Sequence, residues 1–199
     1  MPKWMGVDVG GKRKQFDVAL IDESRLLELL DRQRVEDVVA WVDSVRPTIV
    51  AIDSPRSCAP PGHGVRPDER ALRAAVCGIR WTPSRDRLDG SDYYEWIREG
   101  LQLYEALEGL AAEVIECFPT AAWTRWSGER GGRARSSWTR EALARLELAD
   151  VPLRTNQDQR DAIAAAVTAR EYAHGRCECF GEIVVPMRRQ PSRRGDSNP

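Results

Sequence analysis

The chain has 199 residues, with 30 Lys+Arg against 31 Asp+Glu and a formal net charge of −1. That length suits one domain, and 42% hydrophobic residues suffice for a core. The charge balance excludes a generally basic nucleic-acid wrapper and an acidic disordered tail, but leaves room for a local basic patch. Basic side chains are skewed: Lys occurs only at Lys3, Lys12 and Lys14, and the rest are Arg, which suits bidentate phosphate contacts. Five cysteines (Cys58, Cys77, Cys117, Cys177, Cys179) without C-x-x-C spacing argue against a disulfide framework and a four-ligand zinc site. No apolar run is long enough to span a membrane and no signal-peptide pattern opens the chain, so a reduced, cytoplasmic location is expected.

Residues 4–9 read as a strand ending in Gly10-Gly11, followed by the basic turn Lys12-Arg13-Lys14. In 16–21, Phe16, Val18 and Leu20 alternate with Asp17, Ala19 and Ile21. With 26–30 as a third strand or a helix start, this predicts an antiparallel meander. Val35, Val38, Val39, Val42 and Val45 then fall at helical intervals until Pro47. Residues 48–52 form an apolar strand closed by Asp53-Ser54-Pro55. The segment 54–110 opens with a Pro/Gly/Cys-rich loop, continues Arg-rich over 66–87, and regains helical spacing over 93–110. It reads as an insertion or lid on a single domain spanning 1–186. A strand follows at 113–118. Residues 124–138, rich in Arg, Gly and Ser among Trp123, Trp126 and Trp138, read as a mobile loop. Helices are predicted at 139–148 and 157–173, a last strand at 183–185, and a disordered basic tail over 187–199.

Three carboxylates sit at comparable places on three predicted strands: Asp8, Asp53 and Glu116. Carboxylates are disfavoured inside apolar strands, and burying one unpaired costs several kcal/mol, roughly, unless a partner or metal offsets it. Each has a bland explanation: an Asx turn at Asp53, loop amides for Asp8, an Arg partner for Glu116. Their common position at strand C-terminal ends is where open α/β sheets place their sites. The late helix adds Asp158 and Asp161, spaced i,i+3 on one face. Thr155-x-x-Asp158 also fits a capping box, an explanation that does not extend to Asp161. Such a set suits Mg²⁺ (or Mn²⁺), which takes a few carboxylate oxygens and leaves positions for water and phosphate. A pair of such ions can activate the attacking water and stabilise the leaving oxygen.

The element order and these acids resemble the ribonuclease H-like superfamily. More closely, Gly6-Val-Asp8-Val-Gly10, Ala51-Ile-Asp53-Ser-Pro55, Arg66-Pro-Asp68-Glu-Arg70, Ile115-Glu116-Cys-Phe-Pro119, Asp158-x-x-Asp161-Ala162 and Gly181-Glu-Ile-Val-Val-Pro186 are similar to an uncharacterised, domain-of-unknown-function family of predicted RNase H-like nucleases. The resemblance covers about 3–186, and the last helix is similar to that of RuvC resolvases. It implies an α/β fold with a mixed five-stranded sheet: three antiparallel strands, then parallel strands 4 and 5, flanked by helices, with a long insertion after strand 4. It implies a metal-dependent nuclease hydrolysing phosphodiester bonds of nucleic acid by a carboxylate-held two-metal mechanism. Asp8, Asp53 and Asp161 would be catalytic metal ligands, with Asp158 as a further ligand and Glu116 as a further catalytic acid. Asp53 departs from RuvC-type enzymes, which carry the longer Glu at that place. Fold likeness by itself does not establish chemistry.

Arg66 and Arg70, with Lys12, are candidates for substrate phosphate, against the reading of a self-paired solvated helix face. The Arg and Trp residues of 123–138 are candidates for strand contact by charge and stacking. Two rival readings remain. One is a non-catalytic nucleic-acid or nucleotide-binding module. The other is a sugar-kinase or actin-type ATPase, since Gly6 to Lys12 also resembles their phosphate hairpin, although those proteins need two such domains.

Overall fold

The computed structural model describes residues 1–110 and 113–188. Alternation in the first segment produces β1 (Trp4–Asp8), β2 (Phe16–Ile21) and β3 (Leu26–Gln33), joined as an antiparallel meander. The ambiguous residues 26–30 are therefore strand, and the strand is longer than the sequence suggested. α1 (Val35–Val45) starts where Asp37 accepts a hydrogen bond from the Arg34 amide at 3.0 Å, and ends with Arg46 in the left-handed region at φ 49°. β4 (Ile49–Asp53) runs parallel to β1, and β5 (Glu113–Cys117) runs parallel to β4.

The sheet goes two strands beyond the five that the resemblance implies, one of them the last strand predicted at 183–185. β6 (Cys177–Phe180) and β7 (Ile183–Pro186) form a hairpin, and β7 pairs parallel with β5. The strand order is β3-β2-β1-β4-β5-β7-β6. Six longer helical segments of the remaining chain are α2 (Pro67–Ala75), α3 (Arg85–Asp89), α4 (Glu95–Leu107), α5 (Pro119–Ser127), α6 (Arg135–Ala144) and α7 (Gln157–Ala173).

β1 and β4 are covered on both faces, which is why they read as continuous apolar runs. On one face Met5, Val7, Val50 and Ile52 pack against Val38 and Val42 of α1 and Leu103 and Leu107 of α4. The end of the 54–110 segment thus contributes a core helix. On the other face Trp4, Ala51, Ile115 and Cys117 pack against α5, α6 and α7.

The composition of 124–138 masks the end of one helix and the start of another, so the loop reading is overturned at both ends, while 128–134 stays outside any helix. Trp123, Trp126 and Trp138 are buried in the α5–α6–α7 layer; Arg125 and Ser127 are half-buried beside them, while Arg130, Arg133, Arg135, Ser136 and Ser137 are exposed. The tail beyond residue 188 lies outside the described residues.

Gly6 sets how α7 meets the sheet. A Cβ there would lie 2.1 Å from the Ala166 nitrogen and 2.2 Å from the Ala162 carbonyl oxygen. Glycine facing an alanine-rich helix lets the two backbones approach directly. That approach brings the N-terminal turns of α7 to the ends of β1 and β4.

Candidate metal and phosphate site

Strand periodicity decides which acids meet. Trp4, Gly6 and Asp8 alternate onto the α7 face, as do Ile49, Ala51 and Asp53. Asp8 and Asp53 are direct register partners on parallel β1 and β4. Asp161 projects from the second turn of α7 and is 3% exposed, against 7% for Asp8. These three line one cleft of about 810 Å³, together with Asp158, Lys14, Arg73, Arg80 and Arg135.

Their electrostatics reflect crowding. Burial first, then the charge of Asp161, pushes the Asp8 carboxyl up to about 7, with Lys14 opposing. Burial, then Asp8 and Asp161, likewise pushes Asp53 well above the carboxylate range. Among the described residues Asp53 has no hydrogen-bond donor, and Asp8 has only Lys14 Nζ at 3.5 Å. Asp161 is fully engaged. It accepts from Trp123 Nε1 at 2.7 Å, from Gln157 Nε2 at 3.0 Å and from Arg135 Nη2 at 2.9 Å.

Asp158 is not a cap. The helix is capped by Asn156, whose Oδ1 accepts from the Gln159 amide at 2.8 Å while Gln159 Oε1 accepts from the Asn156 amide at 3.0 Å. The expected Thr155–Asp158 capping box is replaced by this one, which leaves Asp158 to pair with Lys14 Nζ at 2.7 Å. Burial opposes the charge on Lys14, but the hydrogen bond to Asp158 and the charge of Asp8 outweigh it, so its pKa is raised.

Glu116 is on the opposite face. It shares a register row with Ile52, whereas Ile115 and Cys117 face α7. Its carboxylate is bound by Arg66 through Nη1 at 2.7 Å and Nη2 at 2.8 Å, and by the Arg56 amide at 2.9 Å. Burial still raises its pKa against that pairing. Glu116 borders the cleft without joining the Asp8–Asp53–Asp161 group.

The three phosphate candidates do not gather there either. Arg66 is 2% exposed and committed to Glu116, Asp68 and Glu182. Arg70 is exposed and Lys12 lines a separate depression beside Gln33 and Arg34; neither borders the acidic cleft. The cations on the cleft are Lys14, Arg73, Arg80 and Arg135. Arg73 also lies over the Trp81 ring, 4.8 Å from its centroid.

The donor set fits a hard divalent ion, because it offers carboxylate oxygens alone at an open sheet edge. The Lys14 ammonium between Asp8 and Asp158 stands where the cluster demands positive charge. As placed, no three His, Cys, Asp or Glu side chains among the described residues are grouped closely enough to surround an ion.

A family model described as "Protein of unknown function (DUF429)" matches residues 6–184. The chain belongs to the DUF429 family. No curated protein matches it. Among solved structures, this DUF429 chain is similar to RuvC of Thermus thermophilus. One RuvC structure is 15% identical with a TM-score of 0.49, covering 87% of this chain and 96% of that one. Another, T. thermophilus RuvC in complex with Holliday junction substrate, is 17% identical with a TM-score of 0.53, covering 88% and 96%. The second establishes a shared ribonuclease H-like fold.

Sequence reasoning passed over Lys14, Gln157 and Asp17 as site residues, and gave Trp123 a stacking role where the structure has it donating to Asp161. Asp17 carried a signal. It alternates with apolar residues on β2, pairs with Asp8 across β1–β2 and is 7% exposed. Burial, followed by Asp158, raises its pKa. Among the described residues no helix is long and apolar enough to cross a membrane.

Proposed function

We propose that this chain is a divalent-metal-dependent nuclease that hydrolyses phosphodiester bonds of nucleic acid. The observation carrying this reading is the register pairing of Asp8 with Asp53 beneath Asp161, all three lining one cleft. Asp8, Asp53 and Asp161, with Asp158 beside them, would hold Mg²⁺ or Mn²⁺. A bound ion makes its water a stronger nucleophile and offsets charge on the phosphate.

The remaining residues orient and attract. Trp123 and Gln157 fix the Asp161 carboxylate from behind, as donors behind a metal ligand do. Arg135 balances Asp161 at 2.9 Å. Arg73 and Arg80 on the cleft wall suit backbone phosphates, and Trp96 on the same wall suits base stacking. Arg66 and Glu116 lock the floor of the cleft to α2 and the β6–β7 turn. Residues 1–186 act as one domain in this reading. The five cysteines are free thiols, which supports a reducing, cytoplasmic location.

Lys14 and Arg135 already compensate part of the acidic group, which favours a second reading as a nucleic-acid-binding module without cleavage. Incubation with labelled four-way DNA junctions, duplex DNA, single-stranded DNA and RNA in Mn²⁺ or Mg²⁺ separates the two. The nuclease reading predicts metal-dependent cleavage of at least one substrate and at least about 10²-fold less by Asp53→Asn. Binding without cleavage by the wild type selects the module.

A further inference from the structure

The acids at the strand ends fall into two groups. Asp53 and Asp161, with Asp8 between the groups, stand over the parallel pair β1–β4. On the other side of Asp8, Lys14 Nζ lies 2.7 Å from Asp158 and 3.5 Å from Asp8, and Asp17 stands beside Asp8 as its register partner on β2. The buried Oδ2 of Asp17 has no hydrogen-bond partner.

Lys14 is delivered there by backbone geometry. The Lys14 and Gln15 amides both donate to the Gly11 carbonyl, at 2.9 and 2.8 Å, and Gln15 turns through φ 62°. Gly10 leaves no room for a side chain: a Cβ would lie 2.3 Å from the Gln15 carbonyl oxygen and 2.9 Å from Lys14 Cβ. The stem of Lys14 therefore rises against the backbone of Gly10, just past β1, and its ammonium reaches the ends of β1 and α7. A cation tethered this way has a high effective concentration at its site.

We propose that the Lys14 ammonium fills the cation position bounded by Asp8, Asp17 and Asp158, so that the chain takes up one divalent ion, at Asp8, Asp53 and Asp161, rather than two. This rests on the metal-dependent reading above and refines it. Lys14 supplies the second positive charge of the site, with its free N–H groups available to a phosphate oxygen. Asp17, beside Asp8 on β2, adds negative charge next to that position and is a positioning residue.

Counting Mn²⁺ ions per chain by native mass spectrometry and by the free-Mn²⁺ electron paramagnetic resonance signal tests this without any activity. The Lys14 side chain is 52% exposed, so Lys14→Met is expected to fold, and a thermal melt checks it. The expected counts are one ion for the wild type and two for Lys14→Met. In Lys14→Met/Asp17→Asn the second ion weakens at least about tenfold. Two ions in the wild type, or one ion in both the wild type and Lys14→Met, overturn the inference and leave the nuclease reading standing. No ion in either chain overturns the metal site itself, and this inference with it.

Discussion

Asp8 is buried beside other carboxylates and paired with one half-exposed lysine, an arrangement that favours binding a cation over stability. Its pKa is pushed up to about 7 from an ordinary value of 3.8. The folded state therefore binds a proton more tightly than the unfolded chain does. Stability from this group is complete below about pH 4 and is lost as pH rises through about 7. Without metal, the wild type should lose roughly 1–3 kcal/mol of unfolding free energy between pH 5 and 8 from this source. Asp8→Asn should flatten that slope and gain about 1–2 kcal/mol at pH 8, as substitutions at strained sites commonly do. Urea titrations of both proteins at the two pH values measure it; a parallel loss in the variant would contradict the electrostatic account. Asp8, Asp53 and Asp161 were legible because a carboxylate closing an apolar run, or lying past a helix cap, has little structural reason to be there. Glu116 was misplaced because parity within one strand is visible in sequence but parity between two fully apolar strands is not. Its partner Arg66 lies fifty residues away in the chain, a pairing that no local pattern reveals.

The decisive element is α7, buried continuously from Arg160 to Glu171. Its seat on β1 depends on Gly6, where the atoms in the way are backbone and cannot rotate aside. Gly6→Ala should cost about 3 kcal/mol, the upper end of the usual overpacking range, because the clash is with backbone. It should also lift Asp161 away from Asp8 and Asp53. Chemical denaturation should show a lower midpoint at unchanged slope; an unchanged midpoint would mean α7 does not lie as close as described. The helical span of α7 was read correctly from its alanine-rich sequence, but its cap was not. Thr155 and Asn156 are both competent, and only the fold selects Asn156. α5 was missed, and α6 was predicted four residues late, at 139–148 instead of Arg135–Ala144, for a compositional reason: the Arg and Ser of 124–138 read as loop, and only the tryptophans mark the inner face.

Across the whole molecule, the fold puts acids at one sheet edge and surrounds them with arginines from segments distant in sequence. Arg73 and Arg80 come from the segment after β4, and Arg135 opens α6. With a net charge of −1, this wall is a local feature that bulk composition conceals. The seven-stranded architecture was legible through its first five strands and in β7, whose apolar run 183–185 was read as a strand. β6 was not, because Cys177-Glu-Cys-Phe180 shows little apolar alternation and is held by pairing with β7. The central claim is that the Asp8–Asp53–Asp161 group binds a divalent ion. Calorimetric titration of Mn²⁺ into the wild type and Asp8→Asn, at pH 8 where Asp8 is ionised, tests it most directly. The account predicts saturable binding of one ion per wild-type chain and none to Asp8→Asn. Equal binding by both chains, or none by the wild type at millimolar Mn²⁺ with oligonucleotide present, would contradict it.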